Sequence, residues 1–152
     1  MNQEYSAGIV VFNKSKEGVK YLILQYQAGH WDLPKGHIEG QETKEITAIR
    51  ETKEETNLDV EIIPGFEEGI SYNFRNPEKD MVKKDVFFFV GESHSTNVQV
   101  SFEHKGFKWL SYDDAINQLT FKSAKRVLEK VKNFIDSKKY ILNRINGTIV
   151  SL

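Results

Sequence analysis

The sequence predicts a single α/β domain, a mixed β-sheet with helices packed on both faces. Three observations lead there. Short apolar runs bounded by Gly, Pro, Asn and Asp recur along the chain, as buried strands do. Two long segments without Pro or Gly are rich in helix formers. Strand-like runs come before, between and after these two principal helices. The 152 residues fit one domain, 1–152, able to bury a real core.

The elements follow in chain order. "AGIVVF" (7–12) and "YLILQY" (21–26) read as two buried strands joined by the polar loop "NKSKEG". "QAGHWDLPKG", with two glycines and a proline, reads as irregular. From about Glu42 to Thr56 no Pro or Gly interrupts the helix formers, which predicts a helix. "LDVEIIPGF" alternates and stops at Pro64-Gly65. "GISYNF" and "KDVFFFVGE" read as strands separated by the charged turn "RNPEKD", and "GFKWLSY" as a late strand. "SYDDAINQL" opens a helix capped by Ser111 or Asp113. "KSAKRVLEKVKNFIDSKK" carries Ala124, Val127, Leu128, Val131, Phe134 and Ile135 at helical spacing. The segment after Lys139 is apolar enough to dock, but its role is not legible. No repeat, low-complexity segment or linker is visible.

Composition narrows the function classes. Lys+Arg is 21 and Asp+Glu 22, so global charge favours neither bulk nucleic-acid binding nor a membrane surface. The apolar runs, such as "VFFFV", are too short to span a bilayer. The absence of cysteine removes disulfides and Cys-based zinc sites, and suits a cytoplasmic protein. The first residues lack the pattern of a signal peptide.

The chemistry concentrates in "GHIEGQETKEITAIRETKEETNL" (36–58). Glu51, Glu54 and Glu55 fall within five residues and span an arc of roughly 100° on a helix wheel. Arg50 stands four residues before Glu54 and offers it an ordinary ion pair. Glu51 and Glu55 have no cation at helical spacing. One reading is a solvated charged face. The other is a hard divalent cation, which binds carboxylate oxygens and relieves their repulsion.

The spacing separates the two readings. The stretch resembles the Nudix box, G-x5-E-x7-R-E-U-x-E-E-x-G-U, with U a bulky aliphatic. Gly36, Glu42, Arg50, Glu51, Glu54, Glu55 and Leu58 fall in register. Thr52 departs at an aliphatic position, where its methyl still packs. Asn57 replaces the last glycine, and Asn is the next choice for a left-handed residue after a helix. The resemblance implies the Nudix fold, a mixed β-sheet sandwiched between α-helices. It also implies Mg²⁺-dependent hydrolysis (Mn²⁺ as a substitute) of a nucleoside diphosphate linked to another moiety. Glu51, Glu54, Glu55 and the Gly36 carbonyl would be metal ligands, and Arg50 would hold the glutamates in place.

The flanks resemble the animal and archaeal type of asymmetrical diadenosine tetraphosphate hydrolases. "HWDLPKGHIE", "SYNFRN", "FEHKGFKWL" and "LTFK" carry that resemblance. It implies that Tyr72 and Phe121 stack adenine, although an aromatic in isolation reads first as core packing and Phe121 also reads as an anchor for the last helix. It assigns Lys35, His37, Arg75 and Lys84 to phosphates, and Glu103 to metal binding or base catalysis. Trp109 reads as core, and Trp31 as structural. The implied partner is a small nucleotide, with no stable nucleic-acid complex and no membrane. Two alternatives stay open. One is another Nudix activity, on RNA 5′ ends, longer dinucleoside polyphosphates or diphosphoinositol polyphosphates. The other is a non-catalytic nucleotide-binding module, against which the complete set of box carboxylates counts.

Overall fold

The structure is a computed structural model that describes residues 2–146, with side chains up to 138. Its strands are β1 (Asn2–Ser15), β2 (Gly18–Tyr26), β3 (Trp31–Asp32), β4 (Lys35–His37), β5 (Glu61–Ile62), β6 (Glu68–Arg75), β7 (Met81–Glu92) and β8 (His104–Leu110). Its helices are α1 (Lys44–Thr56), α2 (Tyr112–Gln118) and α3 (Lys122–Asn146). All eight strands join one mixed sheet. The path β3-β2-β1-β7-β5 is extended by β4 on β1, β6 on β7 and β8 on β2. β1 and β7 run parallel over eleven registered pairs, Asn2↔Val82 to Phe12↔Glu92. The other pairings are antiparallel.

The sheet separates two cores, because alternate side chains point to opposite faces. Val10, Phe12, Val86, Phe88 and Val90 pack under α2 and α3 with Ala115, Leu119, Val127, Leu128 and Val131. Ala7, Ile9, Val11 and Phe89 face α1 through Ala48. Helices therefore cover both faces, as the sequence predicts. Phe134 is only partly buried, while Ile135 completes the α3 seam. Trp31 packs on the α2–α3 core and Trp109 on the α1 core.

Several boundaries differ from the sequence reading. The expected loop "NKSKEG" is mostly strand, because Ser15 pairs with Gly18 across a two-residue turn and Gly18 takes φ +112°. The segment expected to be irregular contains β3 and β4. Pairing with β2 and β1 overrides its Gly and Pro content. α1 starts after Thr43, whose hydroxyl accepts from the Ile46 N–H, so Glu42 lies outside the helix. Ser111 caps α2 by accepting from the Asp114 N–H. Asn57 closes α1 in the left-handed region at φ 61°, the conformation for which Asn was read there. α3 continues to Asn146, and no strand follows it among the described residues. The tail from 139 to 152 lies outside the described side chains.

One irregularity of the sheet positions the site. β7 occupies one side of β1 along most of its length. On its other side β1 pairs with β4 at Ser6–Gly8 and with β2 only at Phe12–Ser15. The sheet splits where β2 and β4 diverge, and a cleft opens there. Gly8 permits the close passage of β4, since a Cβ on it would strike the Pro34 carbonyl.

Candidate active site

The α1 carboxylates reach the cleft from one face of the sheet. Arg50 organises them. Its Nε donates to Glu42 at 2.7 Å and its Nη2 to the other Glu42 oxygen at 2.9 Å. Nη1 donates to Glu51 at 2.9 Å and to both Glu54 oxygens at 3.3 Å, while Nη2 also reaches the His37 carbonyl at 3.0 Å. One guanidinium thus ties the pre-helix loop, β4 and two turns of α1 together. Glu51 therefore does have a cationic partner, contrary to the helical-spacing argument. Adjacent residues do not face each other along a helix, but the long Arg50 side chain folds back to meet it.

Gly36 sits on the same face. It pairs with Ala7, and a Cβ built on it would overlap the Glu51 carboxylate. Only hydrogen fits between β4 and that carboxylate, and this gives the glycine of the box its physical reason.

Glu55 is 3% exposed. Its Oε2 accepts from the Lys35 N–H at 3.1 Å, and its Oε1 lies 3.8 Å from His104 Nε2. Burial pushes its carboxyl up to about 9, reinforced by the negative charges of Glu51 and Glu103. Burial and the neighbouring Glu54 and Glu103 raise Glu51 as well, against the pull of Arg50. His104 is driven the other way, towards its neutral form, first by burial.

The cations arrive on the opposite face. Lys35 stands beside Gly8, and His37 beside Ser6. Lys84 stands between Glu4 on β1 and Tyr72 on β6. Residues directly opposite in a sheet share a face. Lys35, Lys84 and Tyr72 therefore lie on the α2–α3 side of the sheet. Burial, then repulsion from Lys35, pushes the Lys84 ammonium down. Lys35 has Asp32 at 3.9 Å, and His37 has Glu4 at 3.3 Å.

Both sets line one cleft of about 650 Å³, with Tyr26, Lys35, Gly36, His37, Glu51, Glu54, Glu55, Lys84 and Glu103 on its walls. Three of the residues assigned to substrate from the sequence stand outside this lining. Tyr72, 40% exposed, is next to Lys84 in the sheet and tilts against Phe74. Phe121, 45% exposed, leans on His30 at 5.4 Å. Arg75 is separated from the cations. Three residues along a strand reverse the face, so Arg75 points away from Tyr72, and its guanidinium donates to the Lys79 carbonyl in the β6–β7 turn.

Tyr26 was not legible as a site residue. Its ring stacks on His30 at 4.7 Å, meets His104 edge-on at 4.4 Å and lies under the Lys35 ammonium. Its hydroxyl donates to the Leu33 carbonyl at 3.0 Å. In sequence it is simply the last residue of an apolar strand.

A model of the NUDIX domain matches residues 2–131. The chain belongs to the Nudix family. This Nudix chain is 32% identical over 146 residues to the bis(5′-nucleosyl)-tetraphosphatase [asymmetrical] of Sus scrofa, covering 87% of this chain and 95% of that one. The protein of the same name from Caenorhabditis elegans is 31% identical over 135 residues, with 86% and 95% covered. The crystal structure of a C. elegans Ap4A hydrolase binary complex overlays with a TM-score of 0.78 at 29% identity, spanning 88% of this chain and 98% of that one.

Among the described residues no three acidic or histidine side chains already stand together as a closed metal cage. The donor set still fits a hard cation. Glu51, Glu54, Glu55 and Glu103 bring carboxylates to a polar cleft, and Glu51 and Glu55 are raised by burial and by neighbouring carboxylates. Mg²⁺ binds through a few carboxylates and keeps its remaining places for water and substrate phosphates, so it does not need a closed protein cage. No helix among the described residues is long and apolar enough to cross a membrane.

Proposed function

We propose that this Nudix protein hydrolyses a dinucleoside polyphosphate asymmetrically, diadenosine tetraphosphate to ATP and AMP, with Mg²⁺ or Mn²⁺. The observation that carries the reading is the opposition of charge within one cleft. Glu51, Glu54, Glu55 and Glu103 line it together with Lys35 and Lys84. The resemblance to bis(5′-nucleosyl)-tetraphosphatases adds the substrate class.

Glu51, Glu54, Glu55, Glu103 and the Gly36 carbonyl would hold the metal. When bound, a divalent ion lowers the pKa of water and neutralises charge on the departing phosphate. The chain's own residues do the remainder. Arg50 fixes Glu51 and Glu54 and touches no substrate. Lys35, Lys84 and His37 bind polyphosphate oxygens. Arg75 turns from them, so it takes no part. Tyr72 and Phe121 offer their exposed rings to one adenine. A cleft carboxylate, Glu103 or Glu55, takes the proton of the attacking water. The water oxygen joins the AMP-side phosphorus, and the bond to the ATP phosphate breaks.

Turnover of diadenosine tetraphosphate with Mg²⁺ in ¹⁸O-labelled water tests this. ATP and AMP should appear, with label in AMP. Two equivalents of ADP would refute asymmetrical cleavage. Turnover only of 5′-triphosphorylated RNA or a diphosphoinositol compound would move the protein to another Nudix activity.

A further inference from the structure

Phe102 is 87% exposed, more than any other large hydrophobic among the described residues. It makes no contribution to either core. A single exposed ring needs no explanation in itself, but this one has a telling position, because Phe102 lines the same cleft as the glutamates and Lys35.

Its backbone is strapped down on both sides. Gln27 Nε2 donates to the Phe102 carbonyl at 2.9 Å, and the Gln27 N–H donates to the Glu103 carbonyl at 3.2 Å. The Ser101 N–H donates to the Glu55 carbonyl at 3.2 Å, and the Gln99 N–H to the Thr56 carbonyl at 3.0 Å. The His104 N–H closes the turn on the Ser101 carbonyl at 3.1 Å. The loop is thus tied to β2 and to the end of α1. It presents the ring from a fixed backbone beside Glu103, so a ligand that lies on it need not order the loop.

The sheet order then gives the ring a partner. Tyr72 is on β6, at one side of the sheet. Phe102 immediately precedes β8, at the other. Between them stand β7, β1 and the split between β4 and β2. At nearly 5 Å per strand the two aromatics are on the order of 20 Å apart, with the cations and carboxylates between them. A molecule with a base at each end and a polyphosphate in the middle has that layout.

We infer that Phe102 is the stacking platform for the second nucleobase, at the end of the polyphosphate opposite Tyr72. This rests on the dinucleoside polyphosphate reading above. A base on an aromatic surface is held without regard to its hydrogen-bonding edge. Phe102 would therefore favour substrates with two bases over those with one, and would tolerate different bases at that end.

The test compares diadenosine tetraphosphate with adenosine 5′-tetraphosphate, which keeps the chain but lacks the second base. In the wild type kcat/KM should favour the two-base substrate. Phe102→Ala should reduce that preference roughly tenfold, through KM, and Phe102→Trp should retain it. Because the ring is exposed, the Tm of both variants should stay at the wild-type value. An unchanged preference in Phe102→Ala, or its loss in Phe102→Trp, overturns the inference. If the wild type cleaves neither substrate, the hydrolase reading falls instead. Calorimetric binding of the same two nucleotides then decides about Phe102. Equal change in affinity for both, or no change, in Phe102→Ala refutes the platform.

Discussion

Arg50 and Glu42 are joined by two hydrogen bonds, Nε to Oε2 at 2.7 Å and Nη2 to Oε1 at 2.9 Å, although Glu42 lies outside α1. This fork-to-fork geometry fixes the guanidinium plane. Glu51 and Glu54 inherit their orientation from it. Lysine offers a point charge and cannot reproduce the fork. Arg50→Lys should therefore lower kcat about 100-fold, as small misplacements of catalytic groups do, and also lower Tm. Steady-state kinetics and thermal melts check this, and wild-type kcat in the variant would refute the positioning role.

The same pair sets an acid limb of stability. Hydrogen bonding to Arg50, above all, holds the Glu42 carboxyl down from 4.5 to about 2. A depressed folded-state value stabilises the fold above the unfolded value, and that contribution is lost as pH falls from 4.5 through about 2. The Tm difference between wild type and Glu42→Gln should be constant at neutral pH and shrink across this window. A difference that grows towards acid would contradict the assignment.

Glu55 has the opposite sign. In the metal-free protein its carboxyl is raised to about 9, chiefly by burial. The folded state keeps the proton where the unfolded state loses it. The contribution to stability is full below 4.5 and declines as pH rises towards 9. Glu55→Gln keeps an acceptor for the Lys35 N–H and removes the titration. In EDTA it should be at least as stable as wild type at pH 8, with a flatter Tm profile. With Mg²⁺ it should lose turnover by at least 100-fold and show no metal-induced rise in Tm. Wild-type Mg²⁺-dependent turnover would place the metal elsewhere.

Gly36→Ala places a methyl group against the Glu51 carboxylate. The carboxylate must move, and the Arg50 contact at 2.9 Å must lengthen. Turnover should drop about 100-fold, with KM for the nucleotide nearly unchanged because the cations of the cleft are untouched. A large rise in KM at constant kcat would mean that Gly36 serves substrate binding instead.

Tyr72 is exposed enough that truncation leaves no sizeable cavity. Tyr72→Ala should raise KM for adenine dinucleotides about tenfold, the loss of one stacked base, while Tm stays nearly constant. A loss of about 3 kcal/mol or more of unfolding free energy would instead mark a core aromatic.

The sequence alone determined the composition of the acidic helix and much of its local geometry. The spacing of Glu51, Glu54 and Glu55, the left-handed Asn57 after the helix and the Ser111 cap depend on neighbours within one or two turns. So do the apolar seam of α3 and the two-faced alternation of β1 and β7. Periodicity along the chain records such contacts directly. The resemblance placed both Tyr72 and Arg75 on the substrate, and only the registered strand put them on opposite faces. Tertiary structure alone decided the rest. Burial of Glu55 comes from β4 and His104, which are distant in sequence. Glu42 meets Arg50 across a helix start, and Tyr26 enters the cleft because β4 and β2 part there. A carboxyl's proton affinity is set by whatever surrounds it in space, and no pattern along the chain specifies which strand will arrive beside it.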